Sequence, residues 1–137
     1  MIPQMTREDA NMGFGEERCA TVAHGRAMIS QPMRGVADDD VEAVRSAASA
    51  RLSAMGYSVV DTLFRDDYND AVAKGVKNVG IAMLARSISA MSKCDAALFC
   101  CGWELARGCR IEYEVARSYG LDLLFEDDID GAECGDG

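Results

Sequence analysis

A chain of 137 residues holds one domain with a substantial core and has no room for two. Its 49% hydrophobic content excludes a disordered chain, and 2 prolines exclude a linker-rich one. A formal charge of −9 and a pI near 4.5 oppose binding to a DNA or RNA backbone, so no nucleic-acid polymer is expected as a partner. A free nucleotide stays open as a ligand, because a pocket can be locally positive on an acidic protein.

The six cysteines, Cys19, Cys94, Cys100, Cys101, Cys109 and Cys134, raise the question of a disulfide framework. Four of them fall in apolar or periodic segments, where free thiols behave as small hydrophobes. The opening MIPQMTRED lacks the apolar stretch of a secretory signal, so a reduced, cytoplasmic chain is expected. No metal site is expected: there is no CxxC pair, and the single histidine, His24, sits in a polar stretch. No apolar run approaches the roughly 18 residues of a membrane span, so no membrane partner is expected.

Residues 1–24 are polar and without a sustained period, which reads as a loose arm or a docking arm for a partner subunit. Ala27-Met28-Ile29 suits a first buried strand, ended by Ser30-Gln31-Pro32-Met33-Arg34-Gly35. Asp38, Asp39 and Asp40 open a helix where its dipole favours carboxylates. Val41, Val44, Ala48, Leu52 and Met55 lie on one face of that helix, and Gly56 ends it. Tyr57-Ser58-Val59-Val60 is a second strand.

Asp61 to Lys77 reads as an irregular, charged connection, either a binding loop or lid or a solvated insertion. A second amphipathic helix runs from Val79 to about Ser92, with Ile81, Leu84, Ile88 and Met91 on one face. Asp95 to Cys100 is the third strand, and Cys101 to Gly108 a loop. The helix that follows is expected to turn Ile111, Val115 and Tyr119 inward, and Leu121 to Phe125 is a last strand. The acidic residues from Glu126 to Asp136 have no basic neighbour in sequence and read as a solvated tail. Alternating short strands and helices predict an α/β three-layer α/β/α sandwich around a four- or five-stranded, mostly parallel, Rossmann- or flavodoxin-like sheet.

In such sheets ligands bind beyond the carboxyl ends of the strands, and two loops occupy that place. Along the first, from Ser30 to Gly35, Ser30 and Arg34 suit a phosphate or a sugar hydroxyl, although a plain tight turn accounts for the segment as well. The second runs from Gly102-Trp103-Glu104 to Gly108-Cys109-Arg110-Ile111-Glu112. Trp103, the one tryptophan, either stacks on a base or covers the edge of the core. Cys109, Arg110 and Glu112 are placed in the first turn of the helix, where an acidic residue is common for dipole reasons alone. Glu114 points elsewhere and is an internal control.

The run Asp95-Ala96-Ala97-Leu98-Phe99 followed by Gly108-Cys109-Arg110-Ile111-Glu112-Tyr113-Glu114-Val115-Ala116 resembles the nucleoside 2-deoxyribosyltransferase superfamily. That family shows an aspartate before a buried strand, a loop, then Gly-x-x-x-Glu-x-x-x-Ala opening a helix. Ile29-Ser30-Gln31-Pro32-Met33-Arg34-Gly35 resembles its first-strand loop, and the likeness spans about residues 26 to 125. More narrowly, the chain looks like the phage and bacterial relatives of that superfamily, to which the deoxynucleoside 5′-monophosphate N-hydrolases also belong.

The resemblance implies that Glu112 is a nucleophile attacking the anomeric carbon of a deoxynucleoside or its 5′-monophosphate, with water or a second base resolving the ester. Ser30, Pro32, Met33, Arg34, Gly35, Ser87, Asp95, Gly102, Trp103, Gly108 and Arg110 would line the substrate site, without a cofactor. Two positions depart from the family: the carboxylate eight residues before the strand aspartate is here Ser87, and another six before the nucleophile is Ala106. Asp61, Asp66, Asp67 or a residue of a second subunit are the available substitutes. The expected layout is an arm over 1–24, the domain over 25–126 and an acidic tail over 127–137, assembled as a homo-oligomer. N-glycosidic hydrolysis or deoxyribosyl transfer is the first functional expectation, and a non-catalytic nucleotide-binding or sensing module is the second.

Overall fold

The computed structural model describes residues 25–63 and 65–130, with the side chains of 65–67 and 129–130 left aside. The expected arm, the segment 131–137, Cys19, His24, Cys134 and the side chains of Asp66 and Asp67 lie outside the described residues. The elements in order are β1 (Gly25–Ser30), α1 (Asp38–Ala54), β2 (Tyr57–Val60), α2 (Arg65–Ala73), α3 (Val79–Met91) and β3 (Ala96–Phe99). A single 3-10 turn at Trp103–Leu105, α4 (Arg107–Ser118), β4 (Asp122–Phe125) and α5 (Glu126–Asp130) complete them.

The four strands form one all-parallel sheet in the order β2-β1-β3-β4. The two central strands are the apolar ones: the last four residues of β1 and all of β3 are buried. The outer strands, which have a neighbour on one side only, are less buried. Successive side chains point to opposite faces, and the sheet sorts them into two cores. Ala27, Ile29, Ala96 and Leu98 pack with Ala48 and Leu52 of α1. Met28, Ala97 and Phe99 pack with Met91 of α3 and Ala116 of α4 on the other face. Helices on both faces of a parallel sheet make the α/β three-layer architecture.

Helix α1 carries three aspartates in its first turn and stops at Met55, followed by Gly56 at φ +96°. The Asn78 side chain caps α3 by accepting from the Ile81 amide at 2.9 Å. Glycine is required at Gly25, where φ is +100° and an added Cβ would lie 2.1 Å from Asp95 Oδ2. That carboxylate accepts the Arg26 amide at 2.9 Å, while the Asp95 amide donates to the Arg26 carbonyl at 2.7 Å. Asp95 thus ties the entry of β1 to that of β3.

Four expectations are corrected. The stretch 61–77 is not irregular, because Arg65–Ala73 is helical. Its charges obscured a short apolar repeat in which Ala71 is buried while Tyr68 and Val72 stay half-exposed. On α4 the buried residues are Cys109, Glu112 and Ala116; of the three expected inward, Val115 packs partly buried against the core, whereas Ile111 is 39% and Tyr119 78% exposed. The helix turned by one residue relative to its apolar pattern because a glutamate, not an isoleucine, faces the sheet. Ile81 on α3 is 64% exposed, and Ser87 is buried on that helix instead. Finally, Glu126 is no tail residue. It accepts the Cys101 amide at 2.8 Å and stands 3.7 Å from Arg51, a basic neighbour that the fold supplies from α1. Cys94, Cys100 and Cys109 are free thiols, as expected, but Cys101 is disulfide-bonded.

Because the left-handed backbone and the steric conflict at Gly25 combine, Gly25→Ala should lower the unfolding free energy by about 2 kcal/mol or more in urea titrations. The loss should shrink when Asp95→Ala is added, since the conflicting oxygen is then gone.

Candidate functional site: a buried carboxylate between the central strands

From β1 the chain goes to β2 on one side and then crosses from β2 to β3 on the other, so the carboxyl ends of β1 and β3 form the topological switch point of the sheet. Ser30 ends β1 there, in register with Phe99, and its carbonyl accepts the Cys100 amide at 2.9 Å. By alternation along β1, Ser30 shares the face of Met28 and looks toward α3 and α4.

There its Oγ donates to Glu112 Oε1 at 2.6 Å. Ser87, buried on α3, acts on the same carboxylate as a second hydroxyl partner. Glu112 is 8% exposed, and burial pushes its carboxyl above the usual glutamate range. The two serine hydroxyls and the Arg45 charge pull in the opposite direction, favouring the ionised form. Cys109, one turn earlier on α4, joins the group. Burial pushes its thiol up to about 11, the Ser30 hydroxyl opposing the shift and the Glu112 charge adding to it. At neutral pH Cys109 is therefore a neutral thiol and a weak nucleophile.

The helix begins at Arg107, earlier than expected, so Glu112 belongs to its second turn. Dipole stabilisation is confined to the first turn and does not account for a buried glutamate there. Glu114, in contrast, is exposed and engages Arg117 and Ser118 on its own helix.

The other anticipated residues divide. Ser30, Ser87 and Glu112 are brought together. Pro32 and Gly102 touch where the two loops meet, since a Cβ on Gly102 would lie 3.4 Å from Pro32 Cγ. Gly108, inside α4, would find open space around a Cβ. Met33, Arg34 and Gly35 form an exposed turn, closed by the Val36 amide on the Met33 carbonyl at 3.1 Å. Arg110 reaches away from Glu112 to the Glu104 carbonyl at 3.1 Å. Asp95 lies at the opposite, amino end of the strands. Trp103 stacks on Tyr113, with ring centroids 4.6 Å apart, and packs against Phe99 and Phe125, so the structure places it on the edge of the core.

Sequence reasoning missed a polar network on the other side of β1. Arg45 Nε donates to Gln31 Oε1 at 2.7 Å, Gln31 Nε2 donates to the Val41 carbonyl at 3.0 Å, and the Thr62 hydroxyl donates to the Ile29 carbonyl at 3.1 Å. The signal available was Arg45 itself, a charge adjoining the apolar stripe of α1. Among the described residues, one surface depression of about 330 Å³ lies beside Arg45 and Asp61 and another of about 250 Å³ beside Trp103 and Asp127. Glu112, 8% exposed, lines neither of them.

A carboxyl whose folded pKa is raised stabilises the fold only while protonated. Its contribution is fully present below the ordinary glutamate value of about 4.3 and is lost as pH rises through the folded value. Glu112→Gln should therefore be more stable than the wild type at pH 8, and the advantage should disappear near pH 4. Thermal melts of both proteins across that range measure it.

No curated protein and no solved structure matches the chain. Among the described residues no helix is long and apolar enough to cross a membrane. A family model described as a domain of unknown function (DUF4406) matches residues 26–125, from the start of β1 to the end of β4, and the chain belongs to that family.

Proposed function

We propose that Glu112 is the nucleophile of N-glycosidic bond cleavage on a deoxynucleoside or deoxynucleoside 5′-monophosphate. The observation that carries this is the Ser30–Glu112 hydrogen bond of 2.6 Å, a buried carboxylate held by hydroxyls at the switch point. The resemblance of the surrounding motifs to the nucleoside 2-deoxyribosyltransferases supports the substrate class.

In this reading a Glu112 oxygen attacks the anomeric carbon, and the carbon–nitrogen bond breaks with its electron pair leaving on the base, which takes a proton from water. Water then attacks the same carbon, the ester bond returns its electron pair to Glu112, and the proton passes to solvent. The missing 2′-hydroxyl of deoxyribose eases the oxocarbenium character of both steps. Nucleophilic attack needs the ionised carboxylate; burial disfavours that form and is the largest influence on Glu112, and the Ser30 and Ser87 hydroxyls oppose it. Water as acceptor needs no second base site, so hydrolysis precedes transfer in this proposal. The reading includes assembly of several copies, from which a group serving the leaving base would come.

One observation favours a second reading. Ser87 and Ala106 stand where the resembling enzymes carry carboxylates, which fits a module that binds or senses a nucleotide without turning it over.

Incubation with the common deoxynucleosides and their 5′-monophosphates, with and without an acceptor base, separates the two. Hydrolysis predicts free base without an acceptor, reduced at least 100-fold in Glu112→Gln and unchanged in Glu114→Gln, as for loss of a covalent nucleophile. A new nucleoside only in the acceptor lanes means transfer. No product from any substrate, with a melting temperature that still rises with a nucleotide, means the sensing module.

A further inference from the structure

The polar network on the far face of β1 contacts the two residues that flank Ser30, Ile29 and Gln31. Arg45 leaves α1 with its side chain only 12% exposed. Its Nε donates to the side chain of Gln31, and its Nη2 reaches the Ile29 carbonyl at 3.5 Å and Thr62 Oγ1 at 3.4 Å. Thr62, itself buried, donates to the same Ile29 carbonyl, and Gln31 is anchored in turn on the Val41 carbonyl. Residues 29 and 31 are thus gripped from the α1 face, while residue 30 between them points to the other face and donates to Glu112.

A network of this kind is costly to bury, so its placement calls for a reason. The strand ends at Ser30, and beyond it the backbone has no ladder of its own beyond the Cys100 amide on the Ser30 carbonyl. A side chain whose hydroxyl must meet a carboxylate at 2.6 Å needs its backbone fixed at that point.

We propose that Arg45 is a positioning residue for Glu112, acting through β1. With Thr62 and Gln31 it fixes the Ile29–Gln31 backbone so that the Ser30 hydroxyl is held on the carboxylate. The inference rests on Glu112 being the functional group of the site, but not on the reaction assigned to it. Three groups act on Glu112, Ser30 from β1, Ser87 from α3 and the Arg45 guanidinium from α1, while Glu112 in turn raises Cys109 on its own helix. Cys109 is neutral over the range in which a carboxylate titrates, which leaves Arg45 as the charged member.

The test reads the Glu112 carboxyl directly and uses no substrate. Protein labelled with 13C at the glutamate side-chain carboxyl is titrated by NMR, and Glu112→Gln assigns the signal. Arg45→Met should move the Glu112 midpoint upward, and Arg45→Lys should restore only part of the shift, because an ammonium lacks the planar fork. Thr62→Val, a mild change of similar size, should move it in the same direction by less, and it keeps the test open where Arg45→Met does not fold. In a Ser30→Ala background the Arg45→Met shift should fall below half its size, since the hydroxyl through which Arg45 acts is gone. An unmoved midpoint in folded variants overturns the proposal. So does a full shift in the Ser30→Ala background, which would mean a through-space field alone. A protein that passes this test and releases no base would retain the positioning role and lose the glycosidic reading.

Discussion

Placing an ionisable carboxyl between the two central strands and two helices is the most demanding thing this fold does. Taking a carboxylate from water costs several kcal/mol unless hydrogen bonds replace the lost hydration. At Glu112 the replacement comes from Ser30 on β1 and Ser87 on α3, so three elements far apart in sequence must meet within hydrogen-bond reach. The small residues around them serve that approach. Ala97 of β3 and Ala116 of α4 are fully buried, which lets α4 lie close to the sheet with Glu112 turned inward. A larger residue at either place would lift the helix and open the Ser30–Glu112 distance.

Alternation along a single strand organises the remainder. Met28 and Ser30 face α3 and α4, while Ile29 and Gln31 face α1, so the end of β1 passes from hydrophobic core to polar site on both sides within two residues. The apolar half holds the sheet together. The polar half holds a carboxylate on one face and an arginine on the other, separated by the thickness of one strand. Trp103, in the turn that follows β3, joins Tyr113, Phe99 and Phe125 in one continuous aromatic cluster. Glu126 ties down the start of that turn by taking the Cys101 amide.

Much of this was legible in the residues. Short apolar runs bounded by glycine, proline and aspartate located the four strands, and the three-to-four spacing on α1 located its buried face. Periodicity failed where a polar side chain takes a core position. On α4, Ile111, Val115 and Tyr119 make the better apolar stripe, yet of these only Val115 packs against the core, and the buried positions go to Cys109, Glu112 and Ala116, with Glu112 taking the Ser30 hydroxyl. On α3 the same exchange buries Ser87 and leaves Ile81 outside. Helix α2 was hidden by its charge, and the basic partner of Glu126 lies 75 positions earlier in the chain, beyond any local pattern. Of the candidate site residues, Ser30 on β1, Ser87 on α3 and Glu112 on α4 came together. Met33 and Arg34 stand apart in an exposed turn, since a loop's sequence specifies its turn and not where its side chains reach, and Arg110, although on α4 with Glu112, turns to the Glu104 carbonyl.

The central claim is that Glu112 forms a covalent bond to a sugar, and trapping that bond tests it most directly. A deoxynucleoside 5′-monophosphate with fluorine at the sugar 2′ position and a good leaving base slows departure of the ester, because fluorine opposes oxocarbenium formation. After incubation, mass spectrometry of the intact protein and of its peptides is the measurement. The account predicts a fluorinated deoxyribosyl phosphate adduct on the peptide that carries Glu112, absent from Glu112→Gln. An adduct on another carboxylate, or base release from the unfluorinated nucleotide with no adduct at any residue, would contradict it.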